Sequence, residues 1–323
     1  MTYRYTVIKI VSVLLILWII YYQLSYGEGL PSIIEAFHYH RSQWRFAYLA
    51  FMIGLMPVNW WLEAKKWQIL MSPVQSISFY QASRSILAGL SVGIVTPARI
   101  GEYGGRLLTT DPSKKTEVIS ATFLGSIAQN LCNIIVGLGF SYFFLKSLFD
   151  VTYVHTLTFY VVVIFQIGIL LYLYYNLPKV VNYLDVRWKF KYFKSLFKQL
   201  GFLNSYTLPL LHQVLGISMV RYIIYFIQYV LMIKFLGADV AWLDLLSNIS
   251  GIYLIQTGIP LPAFLSVFAR GELAVMVWST AGIDQLNALV ATFGLWMVNL
   301  ILPSLVGLVV LYGTDLKRYF TSR

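Results

Sequence analysis

Long runs of apolar residues restrict this chain to a membrane fold. The run from Ile10 to Tyr26 carries no ionisable side chain except tyrosine, and only 11% of all residues are charged, against about 25% in soluble domains. Backbone polar groups inside a bilayer must pair within the protein, so runs of about 20 apolar residues predict spanning α-helices. We therefore expect an all-α polytopic membrane protein with about six spanning helices, at residues 6–26, 45–63, 117–146, 153–177, 209–234 and 285–313.

Two further apolar stretches, residues 77–110 and 240–282, do not fit as simple spans. Both are interrupted by glycine, proline and charged residues. Broken backbone at membrane depth requires protein or a water-filled cavity to satisfy the freed amides and carbonyls. We therefore expect two re-entrant pairs of half-helices. The residues expected to shape the breaks are Thr96, Pro97, Gly101, Pro260, Pro262 and Gly271.

The order of elements is repeated along the chain. Helix, helix, broken segment and helix occur in residues 6–146 and again in 153–313, and Arg-Gly-Glu at 270–272 echoes Arg99 and Gly101-Glu102. Inverted repeats whose broken helices meet near the membrane midplane are typical of transporters. The pattern predicts a single integral membrane domain, residues 1–323, made of two inverted halves.

Basic residues favour one orientation of this domain. With both termini in the cytoplasm, most lysines and arginines lie inside, among them Lys65 and Lys66, as the positive-inside rule requires of a cytoplasmic-membrane protein. The net charge of +11 is thereby explained without nucleic acid. The basic and aromatic stretch at about 179–205 fits either an amphipathic helix that gathers anionic lipid on the cytoplasmic leaflet or an ordinary basic loop.

Charged residues inside the apolar segments are the candidate substrate-binding groups. A charge at membrane depth costs roughly 2.5–3.5 kcal/mol, so it usually faces a cavity or the bundle interior. Arg99, Arg106 and Arg270 are expected to face a phosphate, which guanidinium binds through two parallel hydrogen bonds. Glu102 and Glu272 would receive an amine, carry a coupled proton or neutralise the arginines.

Purely structural interpretations of these charges also remain open. The arginine stems could instead extend to water at the interface, most readily for Arg106, while the glycines and prolines form ordinary caps and turns. Arg84 and Arg221 could line the cavity or pair with Glu102 or Glu272.

Catalytic and metal-binding motifs are weakly represented. The pair His38 and His40, preceded by Glu35, lacks a further ligand, and Cys132 is the single cysteine, so we expect no metal. No H-E-x-x-H, P-loop or G-x-S-x-G motif occurs, so we expect no cofactor, no enzyme activity and no coupling to ATP.

Short motifs give the chain a family resemblance. The run Asn59 to Leu70 (NWWLEAKKWQIL), the run Gly93 to Glu102 followed by Arg106, and the later prolines with Arg270-Gly271-Glu272 resemble the lysylphosphatidylglycerol synthase transmembrane-region family. In bifunctional members this region is a lipid flippase joined to a soluble aminoacyl-transferase domain. Because the chain ends at Arg323, we expect that domain to be absent.

The resemblance implies translocation of a phospholipid or a polyprenyl-phosphate-linked lipid, without fixing which. Two alternatives remain: a membrane enzyme or accessory subunit in lipid-linked glycan or aminoacyl-lipid synthesis, with Glu102 or Glu272 as general base, and a scaffold for a separately encoded lipid-modifying enzyme. A homo-oligomer is compatible with each of these.

Overall fold

The computed structural model describes residues 43–94, 96, 99–148, 153–187, 197, 199–258 and 263–313, together with residue 18. All regular structure in this part of the chain is helical, which confirms the predicted all-α class. The helices are α1 Gln43–Met71, α2 Phe79–Gly93, α3 Gly101–Leu107, α4 Lys115–Leu148, α5 Tyr153–Tyr175, α6 Leu177–Arg187, α7 Leu208–Phe235, α8 Trp242–Gly258, α9 Ala263–Ser279, α10 Gln285–Trp296 and α11 Leu302–Tyr312.

Four helical stretches in the described ranges are long and apolar enough to cross a membrane. They are Pro112–Phe140, Thr156–Tyr175, Leu208–Phe235 and Gln285–Tyr312, and they coincide with four of the predicted spans. The last of these runs through α10 and α11 without a break, because a π-helical turn at Met297–Ile301 joins them. The chain is thus a polytopic membrane protein.

Two predicted spans stand apart from these four. The span predicted at 6–26 lies outside the described residues apart from Trp18. The span predicted at 45–63 forms α1, which continues to Met71 although Glu63, Lys65 and Lys66 follow its apolar part. The continuation is possible because Glu63 and Lys66 are neutralised inside the bundle, as described below.

The first predicted broken segment is broken in the structure, whereas the interruption of the second, at residues 259–262, lies outside the described residues. The first consists of α2, which begins at a capping box formed by Ser78 and Gln81, and of the seven-residue α3. At 1.5 Å per residue α3 is only about 10 Å long, far too short to cross a bilayer. The second consists of α8 and α9, each 17 residues long. Pro97, Pro260 and Pro262, to which the sequence assigns the breaks, lie outside the described residues.

The basic stretch at 179–205 is described in part. Helix α6 covers its beginning, and a short 3-10 turn at Gly201–Ser205 covers its end. Leu200 and Leu203 near that end are buried, and the Ser120 hydroxyl of α4 donates a hydrogen bond to the backbone carbonyl of Gln199. This end of the stretch therefore packs on the helix bundle.

Helices α1 and α7, the second helix of each half, pack against each other in opposite directions. The Gln228 side chain of α7 donates to the Met52 carbonyl of α1 at 2.9 Å. At the other end, the Tyr206 hydroxyl just before α7 donates to the Leu70 carbonyl at 3.0 Å. Because numbers rise along one helix while they fall along the other, these equivalent helices have opposite orientations, as an inverted repeat requires.

A close contact joins the last helix of the first half, α4, to the broken segment of the second half. At Gly137 of α4, an added Cβ atom would overlap the Leu254 side chain of α8 and approach the Ser250 carbonyl oxygen. Glycine is thus required for α4 and α8 to approach this closely.

The same contact is made in reverse by the second half. An added Cβ atom at Gly307 of α11 would overlap the Leu87 carbonyl oxygen and the Ser91 hydroxyl of α2, and that hydroxyl donates to the Ser304 carbonyl at 2.6 Å. Gly307 follows Gly137 by 170 positions. The residues that the two glycines contact are matched as well, because Ser250 and Leu254 of α8 follow Leu87 and Ser91 of α2 by 163 positions. The contacts at Gly137 and Gly307 are thus equivalent in their sequence spacing.

Candidate functional site

A buried carboxylate on α1 is the centre of a charged cluster within the bundle. Glu63 accepts from the Lys66 ammonium at 2.8 Å, from the Arg106 guanidinium at 3.1 Å, and from Arg221 in a short charge-assisted contact. All four side chains are nearly inaccessible, with Lys66 only 1% exposed. The cluster connects three elements, because Arg106 lies on α3 and Arg221 on α7.

Each nitrogen of the Arg221 guanidinium has a hydrogen-bond partner. Its Nε donates to the Asn59 side-chain oxygen at 2.8 Å, and its Nη1 donates to the Gln129 amide oxygen of α4 at 2.9 Å. Its Nη2 donates to the Tyr225 hydroxyl at 3.2 Å. Polar side chains from α1, α4 and α7 therefore hold this guanidinium in one position.

Glycines on α2 and α3 bring Glu102 and Arg106 to the cluster. An added Cβ atom at Gly105 would overlap the backbone of α2, so the two helices are in direct backbone contact there. The Glu102 side chain occupies the space beside Gly93, and the aliphatic part of Arg106 lies beside Gly89. Small residues at four-residue spacing on both helices thus allow the close packing.

The turn between α2 and α3 is closed by Thr96 and Gly101. The Gly101 backbone N–H donates to the Thr96 hydroxyl at 2.7 Å, and that hydroxyl donates to the Gly93 carbonyl at 3.1 Å. An added Cβ atom at Gly101 would overlap the Val92 carbonyl, so a larger residue could not close this turn. Thr96 and Gly101 thus lie in the turn that separates α2 from α3.

Arg99 occupies the edge of the cluster in a strained backbone conformation. Its φ is +57°, and it is the only described residue other than glycine with a positive φ. Its guanidinium pairs with Glu102, although half of the side chain remains exposed. Arg99 is therefore the accessible member of an otherwise buried group.

Arg106 lies at the interior end of the same group. Its guanidinium is 3.7 Å from the Glu102 carboxylate and lies 4.6 Å from the centre of the Trp67 ring. Its Nε is buried and has no hydrogen-bond partner in the described part of the chain. Arg106 is thus buried and paired with Glu63, and it does not extend to water as the interfacial interpretation required.

Arg270, on α9, brings the second broken segment to this region. It lies within electrostatic range of Arg99, and also of the Tyr225 and Tyr253 hydroxyls. The Tyr253 hydroxyl donates to the Tyr225 carbonyl at 3.1 Å, which ties α8 to α7. Among the residues that the structure describes, no carboxylate lies within ion-pair distance of Arg270.

The sequence matches a known protein family over most of its length. The model for the lysylphosphatidylglycerol synthase TM region matches residues 7–307, which is nearly the whole sequence. This chain belongs to that family. No protein of curated function and no solved structure matches it significantly.

Membership of the lysylphosphatidylglycerol synthase transmembrane-region family agrees with the motifs that the sequence analysis identified. Of the five candidate binding residues, Arg99, Glu102 and Arg106 lie together, and Arg270 lies within electrostatic range of Arg99. Glu272 is different: its side chain is exposed and has no described partner, while the neighbouring Gly271 packs on Leu289 and Phe293 of α10.

Sequence reasoning missed Glu63 as the partner of Lys66 and Arg221. Lys66 was expected in the cytoplasm but is buried. Arg221 was expected either to line the cavity or to pair with Glu102 or Glu272, and it pairs with Glu63. A signal was present, since Asn59, Glu63 and Lys66 have the spacing of one helical face. No group of metal-ligating residues occurs in the described ranges, and the pair His38 and His40 lies outside them.

Proposed function

We propose that this protein translocates a lipid with a phosphate in its headgroup, either a phospholipid or a polyprenyl-phosphate lipid. The main support is the charged cluster between the halves, where Lys66, Arg99, Arg106 and Arg221 share two carboxylates among the described residues, Glu63 and Glu102. The excess positive charge suits an anionic ligand, because an unbalanced buried charge is costly without a counter-ion. The family match supports a role in membrane lipid handling.

Movement of the lipid would occur by alternating exposure of this polar region. Glu63 joins Arg106 of the first half to Arg221 of the second half, so a change in the relative position of the halves must alter this connection. The headgroup would occupy the polar region while the acyl chains remain in the bilayer. In this mechanism Arg99 is the first contact for the phosphate because half of its side chain is already accessible.

We place the protein in the cytoplasmic membrane with both termini in the cytoplasm. The described basic residues that support this orientation include Lys114 and Lys115 at the start of α4, and Lys179 and Arg187, which lie on α6. Burial of Lys66 removes one residue from the cytoplasmic side without reversing the bias.

The decisive experiment is leaflet-specific lipid movement in proteoliposomes of the purified protein. Phosphatidylglycerol, aminoacylated phosphatidylglycerol and polyprenyl phosphate are tested separately, and total lipid mass is measured in the same vesicles. We expect one lipid class to move with its mass unchanged. A change in mass would instead establish an enzyme, and neither movement nor a change in mass would favour a scaffold for a separate lipid-modifying enzyme.

Variants in the cluster connect this movement to the site. Arg99→Ala and Glu102→Gln should each slow lipid movement about tenfold, because a charge-assisted contact to the headgroup or to its neighbouring arginine is lost. Lys65→Gln is the matched control: it removes a charge next to Lys66, but Lys65 lies 5.5 Å from the Phe79 ring, outside the cluster. Normal movement in both site variants would remove the proposed site.

A further inference from the structure

Arg221 connects the charged cluster to polar groups of the second broken segment. Its Nη2 donates to the Tyr225 hydroxyl at 3.2 Å, and its guanidinium carbon lies 5.6 Å from the centre of the Tyr225 ring. The backbone carbonyl of Tyr225 accepts in turn from the Tyr253 hydroxyl of α8 at 3.1 Å. Tyr225 therefore bonds to the cluster through its side chain and to the second broken segment through its backbone.

The connection continues along α8 to its end. The Tyr253 carbonyl accepts from the Thr257 hydroxyl at 2.8 Å, and that hydroxyl accepts from the Asn133 side-chain amide of α4 at 3.0 Å. Thr257 is the second-last residue of α8, which ends at Gly258. The C-terminal part of α8, just before the interruption of the second segment, is thus bonded to both α7 and α4.

Helix α4 closes these contacts into a ring. Gln129 of α4 accepts from Nη1 of Arg221 at 2.9 Å and donates to the Ser218 carbonyl of α7 at 3.2 Å. Residues four positions apart lie on the same face of a helix, so Gln129 and Asn133 share one face of α4. The polar ring, as we call it, consists of Arg221, Tyr225, Tyr253, Thr257, Asn133 and Gln129.

A second pair of hydroxyls joins α7 to α8 without belonging to this ring. The Tyr222 hydroxyl and the Ser250 hydroxyl are 3.0 Å apart, and both residues are buried. The Tyr222 ring lies 5.9 Å from the Tyr253 ring, but in the described part of the chain no hydrogen bond or ion pair joins Tyr222 to the charged cluster. This pair therefore packs the two helices together, whereas the polar ring connects Arg221 to the end of α8.

We propose that the polar ring couples the ion pairs of Arg221 to the end of α8, and that Tyr253 is the positioning residue that makes this coupling. A change at the pair of Glu63 and Arg221 moves the guanidinium, and the hydrogen bonds of the ring must then shift or break because their geometry is directional. The first broken segment needs no such connection, since Arg106 of α3 pairs with Glu63 directly. The coupling is independent of lipid movement and of the identity of any ligand.

Hydrogen exchange of backbone amides in the purified full-length protein in detergent tests the coupling. Mass spectrometry gives the exchange rate of residues 254–258, the last turn of α8. Tyr253→Phe removes one hydroxyl and keeps the ring, so it should speed this exchange about fivefold, the effect of one lost hydrogen bond. Tyr222→Phe is the matched control and should leave this rate within about twofold, because its hydroxyl bonds to Ser250 one turn earlier.

A change at the cluster should reach the same residues. Arg221→Lys keeps the charge but loses the fixed directions of the guanidinium donors, so it should also speed exchange at residues 254–258 about fivefold, although it lies on α7. In a Tyr253→Phe background the same substitution should add less than about twofold, because the connection is already lost. If Arg221→Lys fails to fold, Tyr225→Phe replaces it with the same expected results, since it removes only the hydroxyl that accepts from Arg221.

Two results would overturn the proposal. One is unchanged exchange at residues 254–258 after substitution at Arg221 or Tyr225, which would show that the cluster and the end of α8 are independent. The other is that the effects of this substitution and of Tyr253→Phe multiply, because residues that act through one connection are not additive. Exchange of α5, which contributes no residue to the cluster or the ring, should stay within about twofold in each variant. An equal increase on α5 would mean a general loss of stability and would count against the coupling.

Discussion

The two broken segments carry the same Arg, Gly and Glu residues, yet they place them in different surroundings. In the first segment Glu102 pairs with Arg99 and lies 3.7 Å from Arg106, and all three belong to the charged cluster. In the second segment Arg270 has no described carboxylate partner, and Glu272 is exposed. The motif is therefore repeated in the sequence, but the ion pairs around it are not repeated in the structure.

Glycine content explains much of this difference. Helices α2 and α3 carry four glycines that face the opposite helix, Gly89, Gly93, Gly101 and Gly105. In the second segment Gly271 packs on α10, and an added Cβ atom at Gly251 or Gly258 would meet nothing within 4 Å. The first segment folds tightly on itself, whereas α9 of the second packs mainly on the following helix.

Among the acidic residues, Glu63 and Glu272 should differ most in how their substitution changes the free energy of unfolding. Glu63→Gln leaves three buried cations without their carboxylate and should lower the free energy of unfolding by about 3–5 kcal/mol. Glu272→Gln should change it by less than about 0.5 kcal/mol, because the side chain is exposed. Denaturation in mixed micelles measures both. Equal losses would mean that Glu63 does not hold the cluster together.

The reciprocal glycines test the correspondence between the halves. Gly307→Ala and Gly137→Ala should each destabilise the protein by about 1–3 kcal/mol, because each forces two closely packed helices apart. Gly307→Ala should be the more harmful, since its Cβ meets backbone while that of Gly137 meets a side chain. Gly139→Ala, on the same helix as Gly137 with open space around it, is the control and should not destabilise. Destabilisation confined to one half would argue against matched interfaces.

The smallest expected effect concerns the backbone at Arg99. Arg99→Gly and Arg99→Ala both remove the ion pair with Glu102, but only glycine adopts a positive φ without strain. The glycine variant should therefore be more stable than the alanine variant by about 1 kcal/mol. Thermal unfolding of the two proteins in one detergent measures the difference. A more stable alanine variant would show that the turn relaxes to an ordinary conformation.

Features that depend on one segment were predictable from the sequence. Four of the spans, the first break and the grouping of Glu102 with Arg106 follow from apolar run length, from glycine and proline positions and from spacing along one short helix. Each of these properties is determined by residues close together in the chain.

Features that depend on packing between distant segments were not predictable. The positive-inside rule assigned Lys66 to the cytoplasm, because a lysine after an apolar run normally marks its end. That assignment fails because Lys66 lies in a region enclosed by Glu63 of α1, Arg221 of α7 and the Gly125 carbonyl of α4. Similarly, Gly137 and Gly307 become equivalent only when the residues that face them are known.

The pair formed by Glu63 and Lys66 has a consequence for how the protein is made. Both residues lie on α1, three positions apart, so this helix already contains a neutralising partner for its carboxylate when it leaves the ribosome. Arg106 follows within the same half, but Arg221 is synthesised more than a hundred residues later. The first half can therefore reside in the bilayer with the Glu63 carboxylate already neutralised, until α7 is inserted and completes the cluster.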